Sequence, residues 1–125
     1  MSQIVISAER DYSVVFVNDW RASLSETIKN GKTCALIPKK MVEIVGPLPS
    51  DWLVIELPDG ESQKSGAVYL QILERLAEEK FGRDGFLVGI GGGATTDLAG
   101  FVAATYMRGL QWVAVPTSLA GMVDA

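Results

Sequence analysis

The hydrophobic residues of the chain are concentrated in short segments. Most of these segments are rich in β-branched residues and are bounded by Gly, Pro, Asn or Asp, as β-strands are. We therefore predict strands at residues 4–7, 12–17, 33–37, 52–57, 86–90 and 111–115.

Helical patterns lie between most of the predicted strands. Residues 19–30 follow Asn18, a candidate N-cap, and stop before Gly31, where a glycine often ends a helix. Residues 94–107 are rich in Ala, Leu and Phe. Residues 62–80 carry apolar side chains at i, i+3, i+4, i+7 and i+8, the stripe of an amphipathic helix. This stripe consists of Tyr69, Ile72, Leu73, Leu76 and Ala77.

The alternation of strands and helices indicates the α/β class. The predicted strands are almost wholly apolar, which favours a parallel sheet covered on both faces, so we expect an open, Rossmann-like, doubly wound fold. The first two strands are close enough to form a hairpin instead, and residues 46–50 read as a loop. We take residues 1–125 as one α/β domain. Residues 117–125 start a helical pattern that has no cap, so we expect the domain to be incomplete at this end.

Composition narrows the classes of function. The 125 residues carry a net charge of −4, which argues against nucleic acid and anionic membranes as partners. The absence of His excludes an imidazole metal site or a Ser–His–Asp triad within these residues. A lone Cys34, most simply a small core residue, suits a reducing compartment such as the cytoplasm. We see no signal peptide and no membrane-spanning run.

A glycine turn is the most informative feature. In FLVGIGGGATTDLAG, residues 86–100, an apolar strand enters Gly91-Gly92-Gly93 and a helix follows at once. Glycine admits a close ligand, and free N–H groups at a helix start bind anions, most often phosphate. Residues 89–94 fit G-x-G-x-x-A, but residues 107–115 lack the acidic residue that holds a ribose. A strand–helix turn without a ligand remains open.

Two polar clusters accompany the glycine turn. In PDGESQKS, residues 58–65, Glu61 and Lys64 are three apart at a predicted helix start, so they can face the same way; a solvated capping turn is the plain alternative. Asp97, in the first turn of its predicted helix, is either a ligand acceptor or a favourable charge on the helix dipole.

The second cluster consists of polar residues within 115–124, together with Arg108 shortly before them. Thr117 and Ser118 offer hydroxyls at a strand end or cap a helix, and Asp124 follows about two helical turns later. Arg108 either complements a helix C-terminus or clamps a phosphate or carboxylate.

The motifs LPDGESQKS (57–65), GGGATTDLAGFVAATYMRG (91–109) and VPTSLAGMVDA (115–125) resemble the 3-dehydroquinate synthase family of sugar-phosphate cyclases. The resemblance implies a two-domain enzyme, with an α/β domain that binds NAD and a mainly helical domain that binds a divalent metal such as zinc or cobalt. The implied reaction converts 3-deoxy-D-arabino-heptulosonate 7-phosphate into 3-dehydroquinate and phosphate. NAD transiently oxidises a ring hydroxyl, which acidifies the adjacent C–H for phosphate elimination; reduction, ring opening and an aldol closure follow.

The resemblance also implies residue roles. Arg108 and Asp124 would contact the substrate, with Arg108 reaching its phosphate in the neighbouring subunit of a homodimer, and Asp97 would contact the nicotinamide half of NAD. The implied cofactor-binding residues are Asp59, Gly60, Glu61, Ser62, Gln63, Lys64, Gly91, Gly92, Gly93, Ala94, Thr95, Asp97, Thr117 and Ser118.

The chain departs from the family pattern in two respects. Many members place an acidic or amide residue by the adenosine ribose, where this chain has Pro38-Lys39-Lys40. The family's metal ligands, a Glu and two His, are expected beyond Ala125, so residues 1–125 alone should be inactive. Another sugar-phosphate cyclase, a polyol dehydrogenase that releases NADH, and a non-catalytic nucleotide-binding module remain as alternatives.

Overall fold

The computed structural model describes residues 2–7, 12–17, 24 and 31–116, and side chains are described for residue 24 and residues 31–116. Strands form at every predicted position, within one residue of most predicted ends. They are β1 (Ser2–Ser7), β2 (Tyr12–Val17), β3 (Thr33–Pro38), β4 (Leu53–Leu57), β5 (Phe86–Gly91) and β6 (Gln111–Pro116).

These strands form one sheet in the order β2-β1-β6-β5-β3-β4. Strands β4, β3, β5 and β6 are parallel neighbours, whereas β1 runs antiparallel to both β2 and β6. The hairpin alternative for the first two strands is therefore confirmed, with Ser2 opposite Val17 and Ser7 opposite Tyr12. The parallel part carries the predicted α/β architecture.

The helices begin and end at other residues than the periodicity predicts. Helix α2 (Gly66–Glu78) is shorter than 62–80, because the Ser65 hydroxyl caps it by accepting from the Val68 N–H at 3.1 Å and residues Gly60–Lys64 form a separate 3₁₀ turn. Helix α3 (Gly93–Thr105) stops before Met107, whose φ is positive.

Two smaller features complete the helical part. Helix α1 (Val42–Val45) was not predicted; residues 46–50 form the predicted loop after it. Of the predicted helix at 19–30 the structure describes only Leu24, which is helical, and the rest lies outside the described residues. No helix of the described residues is long and apolar enough to cross a membrane.

Apolar side chains cover both faces of the parallel strands, as predicted. Alternate residues of β3 point to opposite sides, because side chains alternate along a strand. Ala35 and Ile37 pack with α1 and Leu24, whereas Cys34 and Leu36 pack with α2 and α3. Burial raises the pKa of Cys34 to about 12, so this thiol is an unreactive core residue. Ile72 and Leu76 of the predicted stripe are fully buried, while Ala77 is exposed.

Candidate functional site

The connectivity of the sheet defines a crevice between the ends of β3 and β5. From β3 the chain moves outward to β4 through α1 on one face; from β5 it moves the other way to β6 through α3 on the opposite face. Open α/β sheets bind ligands at such a reversal, outside the carboxyl ends of the strands. The topology alone therefore selects the region around Pro38 and Gly91.

Gly91, the last residue of β5, lies at this crevice, where the side chains of Thr95 and Pro38 leave no room for a Cβ. A Cβ placed on Gly91 would lie 2.5 Å from Thr95 Oγ1, 2.8 Å from Thr95 Cβ and 3.1 Å from Pro38 Cδ. The end of β3, the end of β5 and the start of α3 thus approach closely only because residue 91 is glycine.

The first turn of α3 presents backbone donors to solvent. Gly92 is the N-cap residue and provides no side-chain cap. Gly92 and Gly93 are exposed, and a Cβ on Gly93 would meet nothing within 4 Å. The first N–H groups of a helix have no partner within it, and the helix dipole makes this end positive. The turn can therefore bind an anion.

A buried polar pair joins the turn to the segment after β4. Thr95 Oγ1 donates to Gln63 Oε1 at 2.7 Å, and both side chains are at most 2% exposed. Within residues 31–116 the Gln63 amide nitrogen has no hydrogen-bond partner. Such buried donors are rare and usually indicate a water, ion or ligand. The sequence placed Gln63 in the cofactor set, but neither its burial nor this contact could be predicted.

Three charged side chains meet above the start of α3. Lys64 Nζ lies 3.6 Å from Asp97 Oδ2 and 3.8 Å from Glu61 Oε2. Asp97 is the fifth residue of α3, so its predicted place in the first turn is wrong: the helix begins at Gly93, and the first turn has no acidic residue. The ion pair with Lys64 replaces the dipole interaction as the plain explanation of Asp97.

The rest of the predicted 58–65 segment also lies at the carboxyl end of the sheet. Asp59 Oδ1 accepts the backbone N–H of Lys40 at 3.1 Å, which ties the end of β4 to the turn after β3. Gly60 has a φ of 64°, which glycine adopts freely, and Ser62 is exposed on the same 3₁₀ turn. Sequence reasoning did not include Lys39 or Lys40 among the site residues, although their place directly after a strand was a usable signal.

Arg108 lies away from these groups. It follows α3, whose 13 residues put its two ends about 20 Å apart. Arg108 is exposed beside the amino ends of β5 and β6, so it does not join the glycine turn of its own chain. Thr117, Ser118 and Asp124 lie outside the described residues.

The described residues hold no cluster of metal-ligating side chains. Two grooves of about 500 and 480 Å³ flank the edge strand β4.

Comparison with known proteins gives a consistent result. The family model "3-dehydroquinate synthase N-terminal" matches residues 54–125. The 3-dehydroquinate synthase of Cutibacterium acnes is 36% identical over 126 residues, covering 100% of this chain and 35% of the relative. That of Thermobifida fusca is 47% identical over 87 residues, covering 70% of this chain and 24% of the relative. The chain spans about a third, or less, of these relatives.

Solved structures of 2-deoxy-scyllo-inosose synthase share the fold. One has a TM-score of 0.67, and one complexed with carbaglucose-6-phosphate, NAD⁺ and Co²⁺ has a TM-score of 0.70. Both are 19% identical and cover 93% of this chain, but only 36% and 35% of the solved chains.

Proposed function

We propose that this chain, which belongs to the 3-dehydroquinate synthase family, forms the dinucleotide-binding part of an enzyme that makes 3-dehydroquinate. The observation that carries the proposal is the uncapped start of α3 at the reversal of the sheet. A diphosphate fits a turn that combines free N–H groups, no Cβ and a positive helix end.

The residues present fit NAD as the dinucleotide. Gly93 leaves open space where any other residue would place a Cβ. The Gln63 amide donor, which has no partner among residues 31–116, lies in the pair that closes the back of the turn. Gly91 to Thr95 would then hold the diphosphate through backbone N–H groups, and Gln63 would supply one further donor.

The charged cluster would orient the reacting half of the cofactor. Bound NAD would supply a hydride acceptor for the transient oxidation of a ring hydroxyl of the substrate. Asp97 would accept a hydrogen bond from the nicotinamide amide group, while Lys64 holds the Asp97 carboxylate and Glu61 in one cluster. Asp59, Gly60 and Ser62 would line the same edge.

Substrate binding would extend beyond this part of the chain. We assign Thr117 and Ser118 to the cofactor edge and Asp124 to the substrate hydroxyls. Because Arg108 is about 20 Å from the glycine turn, it would bind the substrate phosphate of a neighbouring subunit in a homodimer. The divalent metal would require ligands outside the described residues.

Kinetics of the full-length protein would test the proposal. With 3-deoxy-D-arabino-heptulosonate 7-phosphate, NAD and a divalent metal, we expect phosphate and 3-dehydroquinate to form while absorbance at the NADH wavelength does not accumulate. Persistent NADH would indicate a dehydrogenase instead. Absence of NAD binding by calorimetry would refute the role of the glycine turn.

A further inference from the structure

Two adjacent lysines flank the glycine turn. Lys39 and Lys40 follow Pro38 at the end of β3, and both are exposed. Neither ammonium group forms an ion pair within residues 31–116. Pro38 Cδ would lie 3.1 Å from a Cβ placed on Gly91, so Pro38 contacts the glycine turn. The two lysines directly follow this proline in the chain.

The charge differs on the two sides of the turn. On the side of β3 and α1 lie two cations, Lys39 and Lys40, and two carboxylates, Glu43 of α1 and Asp59, which accepts the Lys40 backbone N–H. On the side of α3 lie one cation, Lys64, and two carboxylates. The first side is therefore balanced in charge and the second is net negative.

This asymmetry orients a dinucleotide whose diphosphate lies on the turn. The oxidised nicotinamide ring carries a positive charge, so opposite charges attract it to the side of Asp97 and like charges repel it from the lysines. The adenosine half then lies beside the end of β3. In dinucleotide-binding folds a carboxylate near this ribose bonds the 2′-hydroxyl of NAD, whereas a basic side chain accommodates the 2′-phosphate of NADP.

We propose that Lys39 and Lys40 bind a phosphate on the 2′-position of the adenosine ribose, so that the site accepts NADP as well as NAD. The proposal rests on the proposed function, since it requires a dinucleotide on the glycine turn. The hydrogen bond from the Lys40 N–H holds the Asp59 carboxylate beside the two lysines.

The test is calorimetric titration of the full-length protein with NAD and with NADP. We expect NADP to bind within about tenfold of NAD or more tightly. The double variant Lys39→Gln/Lys40→Gln should lose about tenfold in NADP affinity, because two charged donors to the phosphate are removed, with little change for NAD. Lys80→Gln is the matched control, since Lys80 lies beyond the C-terminal end of α2.

The possible failures are distinguishable. If neither dinucleotide binds, the proposed function is wrong as well. If NAD binds and NADP does not, only the present inference is overturned. If the double variant loses affinity for the sugar phosphate or for inorganic phosphate while NADP binding is unchanged, the lysines serve the substrate's phosphate, which also overturns it.

Discussion

The two ends of α3 differ in whether side chains are present where the backbone is constrained. Just before its start, Gly91 stands where a Cβ would collide, with a closest approach of 2.5 Å. Beyond its end, Met107 and Arg108 keep their side chains although their φ angles are 47° and 70°. Left-handed backbone in such residues costs of order 1–3 kcal/mol each.

The difference indicates what each end provides. At the start the side chains are absent, so the backbone and its N–H groups are the functional surface. Beyond the end the side chains are retained despite the backbone cost, and both are exposed. A strained, exposed residue supports a functional hypothesis, which for Arg108 is contact with a neighbouring subunit.

The largest effect should come from Gly91→Ala. The new Cβ would overlap Thr95, so the strand end or α3 must move. We expect a loss of about 1–3 kcal/mol in the free energy of unfolding, as for overpacking elsewhere, together with loss of NAD binding. Denaturant unfolding and calorimetry measure the two effects.

Two other glycines serve as controls for Gly91. In Gly93→Ala the new Cβ would lie in open space on the first residue of α3. The free energy of unfolding should therefore rise by up to about 1 kcal/mol, while NAD affinity falls. A Cβ on the buried Gly89 would lie 2.6 Å from Ala99 Cβ, so Gly89→Ala should destabilise the fold without adding an atom to the exposed surface of Gly92 and Gly93. If Gly93→Ala bound NAD with unchanged affinity, the proposal that the glycine turn binds the diphosphate would be contradicted.

The next effect concerns the buried pair behind the turn. Thr95→Val leaves Gln63 Oε1 without its donor, and we expect a loss of about 1–3 kcal/mol in stability, since an unpaired buried polar group retains its desolvation cost. Thermal and denaturant unfolding provide the measurement.

The double variant Gln63→Leu/Thr95→Val separates packing from binding. Replacing both partners with apolar groups is nearly neutral for stability, so most of the loss should be recovered. NAD affinity should fall because the Gln63 amide donor is gone. Recovered stability together with unchanged NAD affinity would mean that Gln63 only packs.

The pattern of apolar segments predicted the sheet well because buried strands must be apolar and short. The same pattern misplaced helix ends, since these depend on single contacts such as the Ser65 cap and the positive φ of Met107. A one-residue change in where α3 begins is also enough to move Asp97 out of the first turn.

The site was predictable in its polar segments but not in its pairings. Motifs identified Gly91, Glu61 and Lys64, which the fold brings to one edge. Chain direction, not residue type, separates Arg108 from them: α3 runs back along β5 and carries Arg108 to the other edge. The burial of Gln63 depends on how the 3₁₀ turn packs on α3, and no local pattern encodes that packing.

Arg108 offers a test at the other end of α3. Arg108→Ala should raise the KM for the phosphorylated substrate about tenfold or more, because a charged, bidentate contact is lost, and should leave the Kd for NAD unchanged. Arg108→Lys should recover only part of the effect, since lysine cannot form the bidentate contact. Steady-state kinetics and calorimetry together give the comparison, and a changed NAD affinity with an unchanged KM would contradict the proposed division between the two ends.

The smallest effect on stability should come from Asp97→Ala. The Asp97 side chain is 72% exposed and its ion pair with Lys64 spans 3.6 Å, so the fold should lose less than about 1 kcal/mol. NAD affinity should fall nonetheless, because the carboxylate would accept from the nicotinamide amide. Glu56→Ala, which removes an exposed carboxylate from the edge strand β4, is the control and should leave NAD binding unchanged. If calorimetry found equal NAD affinity in both variants, Asp97 would be only a surface partner of Lys64, and the functional surface at the start of α3 would be confined to its backbone.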